Sequence, residues 1–335
     1  MKILNEEKFI KGVESLINPM EVSTLHFIQT FRKMLPLFMF KRLLKKTSKK
    51  TPYIGFVIEP YSLFLFFKLK DIEKAKSLLP DRYELKKTKI FADDTPEYYF
   101  GIGNLYTRAS TFWGARQESY LIAEDKETGL LSWIFIGILS NTIIAVPSQG
   151  IADANSKNAV FTTNSKGDIF LDFKEDKTDR QFILNGNINN GKTRKLEQQI
   201  WVMGNTSIGH CKNMADGDDK PFAVIFDPAE VDKALDIPIK DISIIKNTLF
   251  PGLAESEPCK ALCFPFAQHY IADSPGCHTM IKDSEELISN YNKLGDPKKI
   301  ITFSAMTIKR LLFTGIAISS VMSLLFIIFL VLKIL

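Results

Sequence analysis

Several signatures of common chemistry are missing from this chain. It has only four cysteines, Cys211, Cys259, Cys263 and Cys277, and only four histidines. No C-x-x-C pair occurs, which argues against the usual structural zinc sites. Cys263 and His269 would sit about 20 Å apart on an extended strand, too far to share one ion. Cys259, His210-Cys211 and Cys277-His278 add no better spacing, so no metal is expected. There is no P-loop. Gly101-Ile102-Gly103 lacks the third glycine of a dinucleotide fingerprint, so no nucleotide cofactor is expected either. No G-x-S-x-G elbow is present, which argues against the α/β-hydrolase route. The N-terminus, MKILNEEKFIKG, lacks the apolar core of a secretory signal. With a cytoplasmic body, which the charges flanking the C-terminal apolar run lead one to expect, the thiols are expected to be reduced. Internal repeats and low-complexity linkers are also missing.

Acidic residues are missing from one stretch in particular. Residues 31–50 carry Arg32, Lys33, Lys41, Arg42, Lys45, Lys46, Lys49 and Lys50 with no Asp or Glu, although the net charge of the whole chain is only +5. These basic residues alternate with Leu, Met and Phe. That pattern fits a helix on an anionic membrane surface better than a nucleic-acid interface. It also fits a helix packed on the domain with solvated lysines.

The chain does contain one very long apolar run. From Leu311 to Leu332 there is no charge. A helix over this run is about 33 Å long, enough to cross a bilayer core. Lys309 and Arg310 precede it and only Lys333 follows. The positive-inside bias then places the N-terminal side in the cytoplasm, and the expectation is a single-pass tail anchor.

The remainder of the 335 residues is 45% hydrophobic and 24% charged over the chain as a whole, a globular composition. Helices are expected over 1–18 and 23–46, the second kinked or split at Pro36. From about 53 to 270 short β-rich segments follow one another, among them Leu196–Val202 and a late strand over Lys260–Ile271, separated by turn signals such as Asp125–Gly129, Asn164–Gly167 and Asn190-Gly191. Such short connections demand antiparallel hairpins. The fold class is thus mainly β (α+β): an antiparallel barrel or double sheet with N-terminal helices and a C-terminal transmembrane helix. The expected organisation is basic helices over 1–50, a β-rich domain over 51–275, a helical segment and linker over 276–308, and the anchor over 309–335.

Two stretches carry a family likeness. Residues 71–85, DIEKAKSLLPDRYEL, place a helix ending in Leu-Pro before a strand. Residues 116–141, RQESYLIAEDKETGLLSWIFIGILSN, place two strands around a glycine turn and end at an asparagine. Together the region 55–175 resembles the acetoacetate decarboxylase-like superfamily. The resemblance implies an internal pocket and puts Glu118 where that family has its pocket glutamate, with Arg116 in place of a tyrosine. It also marks a departure. The family's Gly-Arg-Glu and following Pro-Lys-Lys correspond here to residues 148–157, where only Lys157 survives, beside Ser156. A Schiff-base lysine needs a free amine near neutral pH, from burial or a neighbouring cation. No adjacent cation stands here, so acetoacetate decarboxylation is not expected.

The residues themselves offer one constellation. Arg116, Glu118 and Tyr120 are two apart on a predicted strand and share a face. If that face is interior, they form a charged pair able to hold a carboxylate or carbonyl; if it is exterior, they are a solvated pair. Arg116, Glu118 and Tyr120 are the candidate ligand-binding residues, and Lys157 and Glu118 the candidate catalytic ones. The expected partners are the bilayer and an apolar small molecule, lipid-derived compounds included. No nucleic acid is expected, and a homo-oligomer is compatible with the sequence. The alternative is a non-catalytic, tail-anchored scaffold that binds a protein.

Overall fold

The computed structural model describes residues 6–32, 53–109, 112–146, 150–152, 154–203, 205–207, 221–222, 224–273, 281–300 and 304–334. The basic run beyond Arg32, with Pro36, lies outside them, as do Cys211, Cys277, His210 and His278. Six α-helices are described: α1 (Glu6–Leu16), α2 (Pro19–Arg32), α3 (Ile72–Lys76), α4 (Gln198–Trp201), α5 (Ser284–Leu294) and α6 (Ala305–Ile334). The first strands are β1 (Tyr53–Ile58), β2 (Ser62–Lys68), β3 (Tyr83–Leu85), β4 (Tyr99–Ala109), β5 (Trp113–Asp125), β6 (Leu131–Ser140), β7 (Ile144–Val146) and β8 (Gly150–Ala152). Next come β9 (Val160–Thr163), β10 (Asp168–Lys174), β11 (Gln181–Asn187), β12 (Lys192–Lys195), β13 (Asn205–Ser207), β14 (Pro221–Phe222) and β15 (Val224–Ile225). The last are β16 (Lys233–Asp236), β17 (Ile242–Asn247), β18 (Lys260–Phe264) and β19 (Gln268–Asp273).

The fold is mostly antiparallel. A large sheet runs β12-β16-β18-β2-β4-β5-β6-β13-β14, with β1, β3, β15 and β19 attached to its flanks. A smaller sheet runs β17-β11-β10-β9. The pairing of β13 with β6 is parallel. Of the two forms anticipated, the described strands make the double sheet. Among them, no pairing closes the large sheet into a barrel.

Strand β2 shows why the sheets stack. Its sequence SLFLFF is buried at every position, because both of its faces are covered. Leu63, Leu65 and Phe67 face the small sheet and join Ile102, Leu121, Phe173, Phe182 and Leu184. Phe64 and Phe66 face the other way and join Tyr120, Phe135, Ile200, Phe264 and Leu287. A third cluster seats α1 and α5 on the sheet: Phe9, Val13 and Tyr291 pack with Val57, Ile225 and Ile271.

Some local expectations change. Asn190-Gly191 is not a hairpin turn. It carries the chain from β11 in the small sheet to β12 in the large one. The apolar stretch 196–202, read as a strand, contains the short helix α4, capped by the Glu197 carboxylate on the Gln199 amide. The single late strand expected over 260–271 is two, β18 and β19, on different neighbours. Helix α6 is long and apolar enough to cross a membrane, and its apolar stretch is unburied.

Candidate functional site

Strand β5 lies between β4 and β6 in the large sheet. Its alternation sends Ala115, Leu121 and Ala123 toward the small sheet and Tyr120 and Ile122 to the opposite face. Arg116 and Glu118 share that second face with Tyr120 by the same period. A β-bulge inserts Ile136 into β6 opposite Ser119 and Tyr120, so β5 keeps its regular alternation. All three side chains are buried: Arg116 is 7% exposed, Glu118 5% and Tyr120 6%. The solvated-pair alternative is thereby set aside.

The three groups form one chain of contacts. The Arg116 Nε lies against one Glu118 carboxylate oxygen. The Tyr120 hydroxyl donates to the other. The Arg116 guanidinium also stands 4.9 Å over the Phe112 ring. Despite its contact with Glu118, the Arg116 Nε has no aligned hydrogen-bond acceptor. Burial, reinforced by the Glu118 charge and hydrogen bond, pushes the Tyr120 hydroxyl well above the usual phenol range. Tyr120 is therefore a fixed neutral donor.

Aromatic rings enclose the row. Tyr120 packs on Trp133 at 5.1 Å and on Phe135 at 4.8 Å between ring centres. Trp133 and Trp201 meet at 5.1 Å, and Phe64 meets Trp201 at 5.5 Å. The indole N–H groups are satisfied by backbone, Trp133 on the Ile200 carbonyl and Trp201 on the Ile90 carbonyl. Gly103 stands opposite Glu118 on β4. A Cβ there would lie 2.8 Å from the Phe64 ring and 3.0 Å from the Tyr120 ring. That glycine seats rings rather than phosphates.

Lys157 does not join the row. It is exposed, and its backbone amide donates to Asp176 Oδ1 at 3.2 Å. Its neighbour Ser156 is fully buried, and the Ser156 hydroxyl accepts from the Lys174 amide. The chain turns the serine inward and the lysine outward. A solvated lysine lacks the burial that a Schiff base demands.

Two cysteines, Cys259 and Cys263, lie among the described residues. Cys263 is fully buried in the inter-sheet core, its thiol pushed up to about 12 by burial. The Cys259 thiol donates to the Phe66 carbonyl at 3.3 Å. Among the described residues no group of three or more His, Cys, Asp or Glu side chains is placed to hold an ion.

Sequence reasoning missed two polar clusters. His269 Nδ1 lies 2.8 Å from Glu230 Oε1, and its Nε2 lies 3.7 Å from Glu14, which also pairs with Arg108 at 3.4 Å. Arg194 spans Asp94 and Asp236 and stacks 4.1 Å over Phe91, while Lys260 holds Asp94 at 2.6 Å. A cleft of about 880 Å³ opens elsewhere, between Phe67, Phe100, Ile245, Phe250 and the charged Lys70 and Glu257. The partners in each cluster are far apart in sequence, so no linear motif announces them.

No protein-family model matches the chain, and no curated protein sequence matches it. Among solved structures it is similar to acetoacetate decarboxylase from Legionella pneumophila, at 12% identity and a TM-score of 0.39, over 69% of this chain and 88% of that one. A second acetoacetate decarboxylase structure gives 11% identity and a TM-score of 0.35, over 69% and 90%. The enduracididine biosynthesis enzyme MppR, complexed with a condensation product of pyruvate and imidazole 4-carboxaldehyde, gives 9% and 0.34, over 66% and 87%.

Proposed function

We propose that this chain is a membrane-anchored binding domain for a small apolar compound bearing a carbonyl or carboxylate, and that it works without a Schiff-base lysine. One observation carries the reading: Arg116, Glu118 and Tyr120 are buried together on one face of β5 among aromatic rings. A cation, an anion and a neutral donor in a dry setting discriminate strongly between polar groups, because interactions there are little screened. Arg116 offers its guanidinium to a carboxylate, which would compete with Glu118. Tyr120 offers a proton to a carbonyl. Trp133, Phe135 and Trp201 supply apolar contact for the rest of the compound. In this reading α6 crosses the bilayer, and the body stands on the side of Lys309 and Arg310, the cytoplasmic one.

A second reading, a non-catalytic scaffold for a protein partner, draws on the same rings. They pack on one another around Tyr120, so the chain itself occupies apolar room beside the row.

The test uses the full chain in lipid nanodiscs. Thermal unfolding is followed with a series of 2-oxo acids and fatty acids of increasing length, and the purified protein is extracted for bound small molecules by mass spectrometry. The binding reading expects stabilisation that grows with chain length and is lost in Arg116→Met. No shift for any compound, with nothing co-purifying, refutes it and leaves the scaffold.

A further inference from the structure

Helix α2 runs beside the start of α6 in the same direction. Glu21 near its beginning accepts from the Ser304 hydroxyl at 3.0 Å and from the Met306 amide at 3.1 Å. Its carboxylate thus caps the N-terminus of α6, where backbone N–H groups are unpaired and the helix dipole favours negative charge. One turn on, the Thr24 hydroxyl lies 3.1 Å from the Met306 sulfur. Another turn on, the Phe27 ring stacks on Phe313 at 6.1 Å, and Lys309 Nζ stands 5.1 Å over the same ring. Ala305 and Ile308 are fully buried. The apolar helix therefore leaves the domain from a fixed socket that α2 helps to build.

Levels along α6 follow from this pairing. From Phe313 to Lys333 is 20 residues, about 30 Å of helix, the thickness of a bilayer core. With Lys333 at the far boundary, Phe313 lies at the near one. Lys309 and Arg310 then fall in the headgroup layer, and the stacked Phe27 lies at the depth where aromatic side chains concentrate.

The two sides of α2 agree with this placement. Val22, Leu25 and Ile28 form a stripe that is 7% exposed or less. Met20 and Phe27, seven residues or two turns apart on another side, are large apolar residues exposed by 62% and 38%. That side continues the lipid-facing surface of α6 across the Phe27–Phe313 stack.

We infer that the C-terminal part of α2 is a second lipid contact: Phe27 sits in the bilayer interface beside α6, and the domain rests on the membrane instead of hanging from a free tether. The inference builds on the reading of α6 as a membrane span. The occupant of the α2 face is the headgroup and acyl boundary of the bilayer. The continuity of that face with α6 and the cations Lys309 and Arg310 at its headgroup end specify it.

The experiment places the photo-crosslinking amino acid p-benzoylphenylalanine at one position at a time in the full chain, reconstituted in phosphatidylcholine–phosphatidylserine vesicles. Phe27 and Phe326 are replaced, each aromatic for aromatic, and Lys166 in the β9–β10 turn serves as the control. After illumination, mass spectrometry reads whether the chain has gained the mass of one phospholipid. The expected result is a lipid adduct from positions 27 and 326 and none from 166. An adduct from 326 without one from 27 overturns the inference while leaving the anchor intact. A crosslink from 27 only to a second protein chain also overturns it and makes that face a contact between copies. Absence of lipid adducts from both 27 and 326 removes the anchor reading, and this inference with it.

Discussion

Replacing Glu118 by Gln leaves the shape of the row almost unchanged and removes its negative charge. The amide oxygen can still accept from Tyr120, so that hydrogen bond, worth about 1 kcal/mol, is largely kept. What is lost is the counter-charge of the Arg116 guanidinium, which is 7% exposed. Removing one member of a buried pair typically costs about 3–5 kcal/mol, because the other charge stays desolvated and alone. At roughly 2–4 °C per kcal/mol for a domain of some 200 residues, the melting temperature should fall by about 6–20 °C. The Phe112 ring beneath the guanidinium offsets part of this, about 0.5–2 kcal/mol, so the lower half of that range is expected. Arg116→Met should be destabilising to a similar degree, since it leaves Glu118 as the lone charge. The double replacement Arg116→Met with Glu118→Leu removes both charges and keeps the volume. It should recover most of the loss, with a coupling of several kcal/mol between the sites. The assay is thermal unfolding of the full chain in nanodiscs, at roughly 0.05 M and 0.5 M salt; a buried pair should give the same differences at both, unlike a surface pair. The reasoning is refuted if Glu118→Gln melts within about 2 °C of the parent, or if the double variant is less stable than either single one.

Three further outcomes are expected. Burial would lower the pKa of His269, but the hydrogen bond and charge of Glu230, with Glu14 beyond, raise it above the usual value. Such a group stabilises fully below its unfolded pKa of about 6.5 and loses that contribution as pH rises through the higher folded value. Melting temperature should therefore drop over the pH interval just above 6.5, and the drop should be missing in His269→Gln; an unchanged pH profile in that variant would sink the assignment. Lys157→Ala should leave ligand retention and stability as they are, and borohydride in the presence of a 2-oxo acid should leave no adduct at Lys157; a trapped adduct there would restore lysine chemistry. Deleting residues 311–335 should move the protein to the soluble fraction, because about 20 apolar residues in lipid outweigh the interfacial contact of one helix turn; retention after a high-salt wash would show that α6 is not the main anchor.

The double sheet was legible because the chain states it locally. The glycine turn at Asp125–Gly129 joins two long β-rich runs, and Gly129 takes the positive φ of 71° that the turn needs. Register and partners were less legible, because they depend on contacts between distant segments. Asn190-Gly191 has the composition of a tight hairpin, yet β11 pairs with β10 and β17, and β12 with β16. The apolar run at 196–202 satisfies a strand pattern and a helix pattern equally over so short a length. Glu197 at its start, a side chain able to cap a helix, was the available sign of α4.

The candidate site divides along the same line. The period of two placed Arg116, Glu118 and Tyr120 on one face, but whether that face was wet or dry depended on what β2, β6 and α4 laid over it. Phe64, Trp133 and Trp201 supplied that cover from residues up to about eighty positions away, and only Gly103, which makes room for two rings, hinted at it. Lys157 is exposed for the opposite reason. Its identity matched the chemistry sought, while its neighbour Ser156 took the inward position and the hydrogen bond to Lys174. In the loop before β9 one residue of this pair faces the core and the other faces water, and a motif read by identity alone does not say which. Among the described residues no buried lysine stands beside the row, which in the proposed reading holds its ligand through charge and hydrogen bonds and not through an amine.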